Sequence, residues 1–231
     1  SEWFNSPAPT WLRINPLAAD AEAVTAALEA DGKTEVIARD EAILGLAGTA
    51  HAPSLPGFAE GHFTVQDASA SAAARLLAPR PGQLVLDLCA APGTKSTQLA
   101  ELMENRGRVV AADSHAERLA QIAPAARRLG LSIVKPLLVT ETGDGLPDGP
   151  FDAALVDPPC SNTGVLGKRP EVRWRIERDE PDRLARLQRQ LLAVAANRLA
   201  PLGRLVYSTC SIEPIENEQV VAGFLEGHEE F

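Results

Sequence analysis

The sequence predicts an α/β fold, a doubly wound and mostly parallel sheet preceded by a small α+β unit. Two patterns carry that prediction. From Phe63 onward, short runs rich in Leu, Val and Ala alternate with segments of helical period. Strands separated by helices pair in parallel through right-handed crossovers. The chemically distinctive residues also fall just after those runs, where open α/β sheets hold their ligands.

Taken in order, residues 1–62 form the first unit. Thr10 to Asn15 (TWLRIN) reads as a strand. Asp20 caps a helix over Ala21 to Ala30, with Val24, Ala27 and Leu28 on one face. Val36 to Ala38 and Ile43 to Leu46 are short strands, and His51 to Phe58, with two prolines and a glycine, is a linking loop. Residues 63–231 form the second unit. Ala68 to Leu77 is a helix. Leu84 to Leu88 is the first buried strand, followed by Gly93 and a helix from Lys95 to Leu102. Arg108 to Asp113 is the second strand, and His115 to Leu129 a helix interrupted or restarted near Pro124. Ile133 to Val139 and Ala153 to Asp157 are the third and fourth strands. Pro181 to Leu199 is a long amphipathic helix bearing Leu184, Leu187, Leu191 and Leu192. Leu205 to Thr209 is the fifth strand, and Ile215 to Leu225 the last helix.

Composition narrows the function classes. With 231 residues, 45% hydrophobic and 23% charged, the chain suits a core that needs no staples, which excludes collagen-like, disulfide-rich and disordered classes. Its apolar runs fall short of the ~20 residues that span a bilayer, and the N-terminal SEWFNSPAPT lacks a leader pattern. Cys89, Cys160 and Cys210 match no zinc spacing and read as reduced thiols of a cytoplasmic protein. The four histidines suggest no metal site, so no metal is expected. The net charge of −9 argues against a nucleic-acid binder when taken whole, yet residues 168–204 carry +5 and the rest −14. Lys168, Arg169, Arg173 and Arg175 follow the fourth strand and read as a basic patch for contacts to nucleic-acid phosphates. The arginines further along the helix read equally as a solvated face.

Asp87 to Lys95 (DLCAAPGTK) joins the first strand to its helix, and small residues at 90, 91 and 93 let a ligand lie against the backbone. It is not the Gly-rich dinucleotide fingerprint, which disfavours a dehydrogenase. Asp113 ends the second strand and can either bind ribose hydroxyls or cap the next helix. Asp144 reads as an adenine-side acid or a turn former, with Glu141 as its rival. In Asp157-Pro158-Pro159-Cys160 two prolines fix the backbone past the fourth strand, and Cys210 lies just past the fifth. The two thiols should therefore converge beside a carboxylate, which favours chemistry over packing. Cys89, inside the turn, reads as packing.

Taken together, DLCAAPGTKS, the step from Asp113 to Arg118, LVDPPCSNTGVLGKRPEVRW and YSTCSIEPIENE resemble the Sun/RsmB branch of the RNA 5-methylcytosine methyltransferases. TWLRINPL and FTVQDASA resemble the same family's lead-in, so the resemblance covers nearly the whole chain. It implies a Rossmann-like, S-adenosylmethionine-dependent methyltransferase fold. The cofactor would be held by the turn Cys89, Ala90, Ala91, Pro92, Gly93, Thr94 and Lys95, with Arg118, Asp113 on the ribose, Asp144 near the adenine, and Asp157. Cys210 would be the nucleophile, Cys160 would assist product release, and Asp157 would face the target base. Lys95 would orient the base or lower a thiol pKa.

The implied partner is RNA, with a cytosine of 16S ribosomal RNA ahead of transfer RNA. A monomer with no membrane contact is expected. Against the family pattern, Thr94 replaces a glycine, Pro158 an alanine, and Gly167-Lys168 an arginine pair. The family's helical N-terminal RNA-binding domain and its two last strands are absent, so the chain is expected to be a C-terminally truncated catalytic domain. Two rivals stay open: an amino-group methyltransferase using DPPC, which leaves Cys210 idle, and a non-catalytic RNA-binding assembly factor on the same scaffold.

Overall fold

The computed structural model describes residues 8–40 and 42–231. Ser1 to Pro7, read above as part of a segment without a leader pattern, lie outside the described residues. The first unit comprises β1 (Thr10–Ile14), α1 (Ala21–Asp31), β2 (Val36–Asp40), β3 (Ile43–Leu46) and β4 (Phe63–Val65), an antiparallel sheet ordered β2-β3-β1-β4. Asp20 caps α1 by accepting from the Ala23 amide at 2.7 Å, and Val24 and Leu28 bury that helix against Leu12, Leu44 and Phe63.

The second unit runs α2 (Ala68–Leu77), β5 (Leu84–Leu88), α3 (Thr94–Leu102), β6 (Arg108–Asp113), α4 (Ala116–Leu119), α5 (Ile122–Arg128), β7 (Val134–Leu138), β8 (Phe151–Val156), α6 (Val172–Arg175), α7 (Glu180–Ala196), β9 (Leu199–Tyr207) and α8 (Glu218–Leu225). Its five strands are all parallel, ordered β7-β6-β5-β8-β9. Both faces are covered, so successive strand residues serve opposite cores. Val85, Val109 and Leu155 face the side of α2, α3 and α5, while Leu86, Val110 and Val156 face α7 and α8. The order reverses between β5 and β8, and the crevice beyond their carboxyl ends is where such folds bind ligands.

Three sequence readings need correction. Phe63–Val65 was placed at the start of the second unit, but it hydrogen-bonds to β1 and closes the first sheet, so that sheet ends at Val65. The long helix stops at Ala196, because the Arg198 carbonyl accepts from Phe151 N at 2.8 Å and Leu199 pairs with Phe151 in β9. The segment 115–129 is interrupted as expected, into two short helices, with Pro124 in the first turn of the second, where its missing N–H costs nothing. The last helix begins at Glu218, after a 3-10 turn over Pro214–Glu216.

A buried polar seam joins the units. Arg13 of β1, 2% exposed, donates two 2.8 Å bonds to the Glu101 carboxylate on α3, one of 2.8 Å to the Thr94 carbonyl and one of 3.0 Å to Thr97 Oγ1; it also donates to Gln66 Oε1. Burial raises the Glu101 pKa while Arg13 pulls it back. Removing one partner of such a pair typically costs about 3–5 kcal/mol. Because Thr94 opens α3 right after the cofactor-type turn, the first unit braces the loop on which the site is built.

Candidate active site

The turn between β5 and α3 is shaped from three sides. Gly93 has φ +101°, and a Cβ there would lie 2.9 Å from Ile122, so glycine is required on both counts. Asp113, at the tip of β6, accepts from the Ala91 amide at 2.9 Å and the His115 amide at 2.8 Å. Its cap-like bond and its bond to the turn therefore coexist. Arg118 donates to the Ala91 carbonyl at 2.7 Å. Cys89 packs against the apolar layer under α7; burial, reinforced by Asp113, Asp157 and Asp87, holds its thiol protonated.

Asp87 is fully buried on the α3 side of β5. Burial pushes its pKa up to about 7 despite the 2.5 Å bond from Ser96 Oγ, and its Oδ1 has no hydrogen-bond partner. The donor set suits a cationic, ribose-bearing molecule. Carboxylates gather at the end of β5, and each Asp113 oxygen accepts one N–H and keeps a lone pair for a hydroxyl.

On the other side of the switch point, Lys95 Nζ lies 2.6 Å from Asp157 Oδ2, and Ser208 Oγ donates to Asp157 Oδ1 at 2.8 Å. Beyond them Cys160 Sγ and Cys210 Sγ lie 3.0 Å apart, both as free thiols. Each sulfur's pKa is set first by the other: the shared hydrogen bond raises Cys160 and lowers Cys210, with Lys95 and Arg169 also lowering Cys210. Asn162 holds the pair from the side, its Oδ1 3.1 Å from Cys210 Sγ and its Nδ2 donating to the Cys160 carbonyl at 2.7 Å.

The structure thus brings Lys95, Asp157, Cys160 and Cys210 into one cluster, and Ala91, Asp113 and Arg118 into another at the turn. Asp144 is exposed in the loop after β7, where the Thr142 and Thr140 hydroxyls bond its carboxylate and lower its pKa. Glu141 is exposed. Lys168 is ion-paired with Asp67 before α2, so its charge is already engaged within the chain. Arg169, Arg173 and Arg175 are exposed, and among them Trp174 stands 89% exposed.

Sequence reasoning missed Ser208, Asn162, Glu216 and Trp174. Each sits inside a quoted motif, and an exposed aromatic amid arginines was the signal available for Trp174. Among the described residues no helix is long and apolar enough to cross a membrane, and no group of three or more His, Cys, Asp or Glu is arranged to hold a metal.

A parallel five-stranded sheet with a ligand turn after β5 and acids at the tips of β5, β6 and β8 defines the Rossmann-like fold of S-adenosylmethionine-dependent methyltransferases. A family model described as 16S rRNA methyltransferase RsmB/F matches residues 74–231, and the chain belongs to that family. It is 41% identical to the Synechocystis sp. protein named probable ribosomal RNA small subunit methyltransferase B, over 99% of this chain and 52% of that protein. The solved structure of PH0851 superposes with TM-score 0.93 at 38% identity, covering 98% of this chain and 52% of the other. A methyltransferase homolog from Pyrococcus horikoshii superposes with TM-score 0.84 at 31% identity, covering 97% and 72%. The chain spans about half the length of the curated relatives it matches.

Proposed function

We propose that this chain carries the catalytic machinery of an S-adenosylmethionine-dependent RNA methyltransferase that forms 5-methylcytosine in small-subunit ribosomal RNA. The observation that carries the reading is the pair of thiols, 3.0 Å apart, beside the Lys95–Asp157 pair. An amino-group methyltransferase has no use for Cys210.

The cofactor would lie against Cys89 to Lys95, with Asp113 as the ribose acceptor, Arg118 bracing the turn, Asp157 closing the far side and Asp144 at the adenine end. When bound, S-adenosylmethionine supplies an electrophilic methyl group. Cytosine C5 is too weak a nucleophile to take it unaided. The Cys210 thiolate adds to C6, and electrons displaced through C4 arrive at N3, where the Lys95–Asp157 pair delivers a proton. C5 is then an enamine carbon and accepts the methyl group. Loss of the C5 proton to water, with the N3 proton returned to the Lys95–Asp157 pair, restores the ring and expels the Cys210 thiolate, which the Cys160 thiol stabilises through the hydrogen bond it already makes. The target base must be unpaired or flipped out to reach the thiols. Phosphates on either side would meet Arg169, Arg173 and Arg175, with Trp174 offering a face for stacking.

Nucleoside mass spectrometry of small-subunit rRNA, with and without the protein, tests the reading. A methyl group on cytosine C5, mapped to one site by bisulfite sequencing, is expected. A methyl group on an exocyclic nitrogen, or on transfer RNA alone, would overturn it.

A further inference from the structure

We propose that Glu216 is the positioning residue that sets the separation of the two thiols, a role that rests on the reading of Cys210 and Cys160 given above. Its side chain is fully buried at the end of the 3-10 turn before α8. Burying a carboxylate is expensive unless donors meet it, and four do. Oε1 accepts from the Ser161 amide at 2.9 Å and from Gln188 Nε2 at 3.0 Å. Oε2 accepts from Ser211 Oγ at 2.5 Å and from Ser161 Oγ.

Ser161 follows Cys160 and Ser211 follows Cys210. One carboxylate therefore joins the residue after each thiol, although the cysteines lie on different loops. Gln188 of α7 extends the tie by donating to the Pro159 carbonyl at 2.9 Å, so both chain neighbours of Cys160 answer to the same group. Tyr207, in the strand leading to Cys210, donates its hydroxyl to the Glu216 carbonyl at 2.6 Å.

Docking α8 does not require any of this, since Val220 and Phe224 bury it against the core. Apolar contacts are tolerant in direction, whereas hydrogen bonds are not. A directional brace suits a pair whose mutual hydrogen bond sets each pKa. Glu216 touches no reacting atom; it acts through the serines.

Gln at this position can keep its carbonyl oxygen on the Ser161 amide and Gln188, while its NH₂ donates to serine hydroxyls that rotate to accept. Met has similar bulk but accepts almost nothing. Geometry, not charge, is thus the quantity tested by comparing Glu216→Gln with Glu216→Met. The readout is the rate at which the oxidant diamide couples Cys160 to Cys210, followed by peptide mass mapping, alongside kcat and KM for RNA, cofactor affinity and thermal midpoint.

For E216M we expect coupling and kcat each to fall about tenfold, with KM and cofactor affinity held within about threefold. E216Q should restore both rates to within about threefold of wild type. Coupling at the wild-type rate in folded E216M would overturn the proposal, and so would E216Q as impaired as E216M. If E216M fails to fold, Ser211→Ala, which cuts one tie on the Cys210 side, should slow coupling about threefold; an unchanged rate there also overturns it. Coupling needs neither RNA nor methyl transfer, so it tests Glu216 even if Cys210 is not the nucleophile.

Discussion

The Lys95 ammonium lies 2.6 Å from Asp157 Oδ2, across the point where the strand order reverses. Lys95 comes from the helix after β5 and Asp157 from the tip of β8, so the bond exists only because those strands are neighbours. A proton delivered at N3 needs both groups. Asp157→Asn preserves shape and the Ser208 bond but cannot deliver that proton. It should lower the single-turnover rate by about 10²-fold or more while leaving RNA affinity nearly unchanged. A variant that loses RNA affinity and keeps its rate would place Asp157 in binding instead.

The hydrogen bond between the thiols makes a prediction in pH. It stabilises the Cys210 thiolate, so Cys210 titrates below the ordinary thiol and reacts at lower pH. The rate of Cys210 alkylation by iodoacetamide should rise with pH around a midpoint below that of an ordinary thiol. In Cys160→Ala the bond is gone while burial remains, so the midpoint should move up. An unchanged midpoint, mapped by peptide mass, would show that Cys160 does not tune its neighbour.

Asp87 sets a second pH dependence, in stability. Its folded-state pKa is raised from 3.8 to about 7 by burial. The folded chain therefore binds this proton more tightly than the unfolded chain. Its contribution is fully present below pH 3.8 and is lost as pH rises through about 7, by about 4 kcal/mol in total. Asp87→Asn removes the titration, so its thermal midpoint should fall less than the wild-type midpoint between pH 5 and 8. Parallel curves for the two proteins would contradict the assignment.

The basic segment after Cys160 can be tested by salt. Arg169→Glu with Arg173→Glu should weaken RNA binding and flatten the slope of log affinity against log salt by about one to two. S-adenosylmethionine affinity, measured by calorimetry, should stay within about twofold, because in the proposed reading these side chains meet RNA phosphates and not the cofactor. Equal losses of RNA and cofactor would count against the patch.

Much of this site was legible because its residues sit where strands end. Leu84–Leu88, Arg108–Asp113 and the DPPC and STCS segments announce their strands by apolar runs, and the parallel order then forces Cys160 and Cys210 together. What could not be read depends on partners distant in sequence. Arg13 in the TWLRIN strand shows no partner in sequence until Glu101, 88 residues on, is seen to meet it. Phe63–Val65 is too short to declare its sheet, since only the register with β1 assigns it. Glu216 sat in a quoted motif without a role, because its four donors come from residues 161, 188 and 211. Lys168 read as a phosphate contact because Asp67, its partner, is 101 residues away.

The central claim is that Cys210 attacks cytosine C6. RNA carrying 5-fluorocytosine at the target position tests it directly, because fluorine at C5 cannot leave as a proton and the covalent adduct persists. The account predicts an adduct with the wild-type protein, and with Cys160→Ala, that is resolved by denaturing electrophoresis and absent from Cys210→Ala. An adduct that persists in Cys210→Ala and vanishes in Cys160→Ala would reverse the two roles.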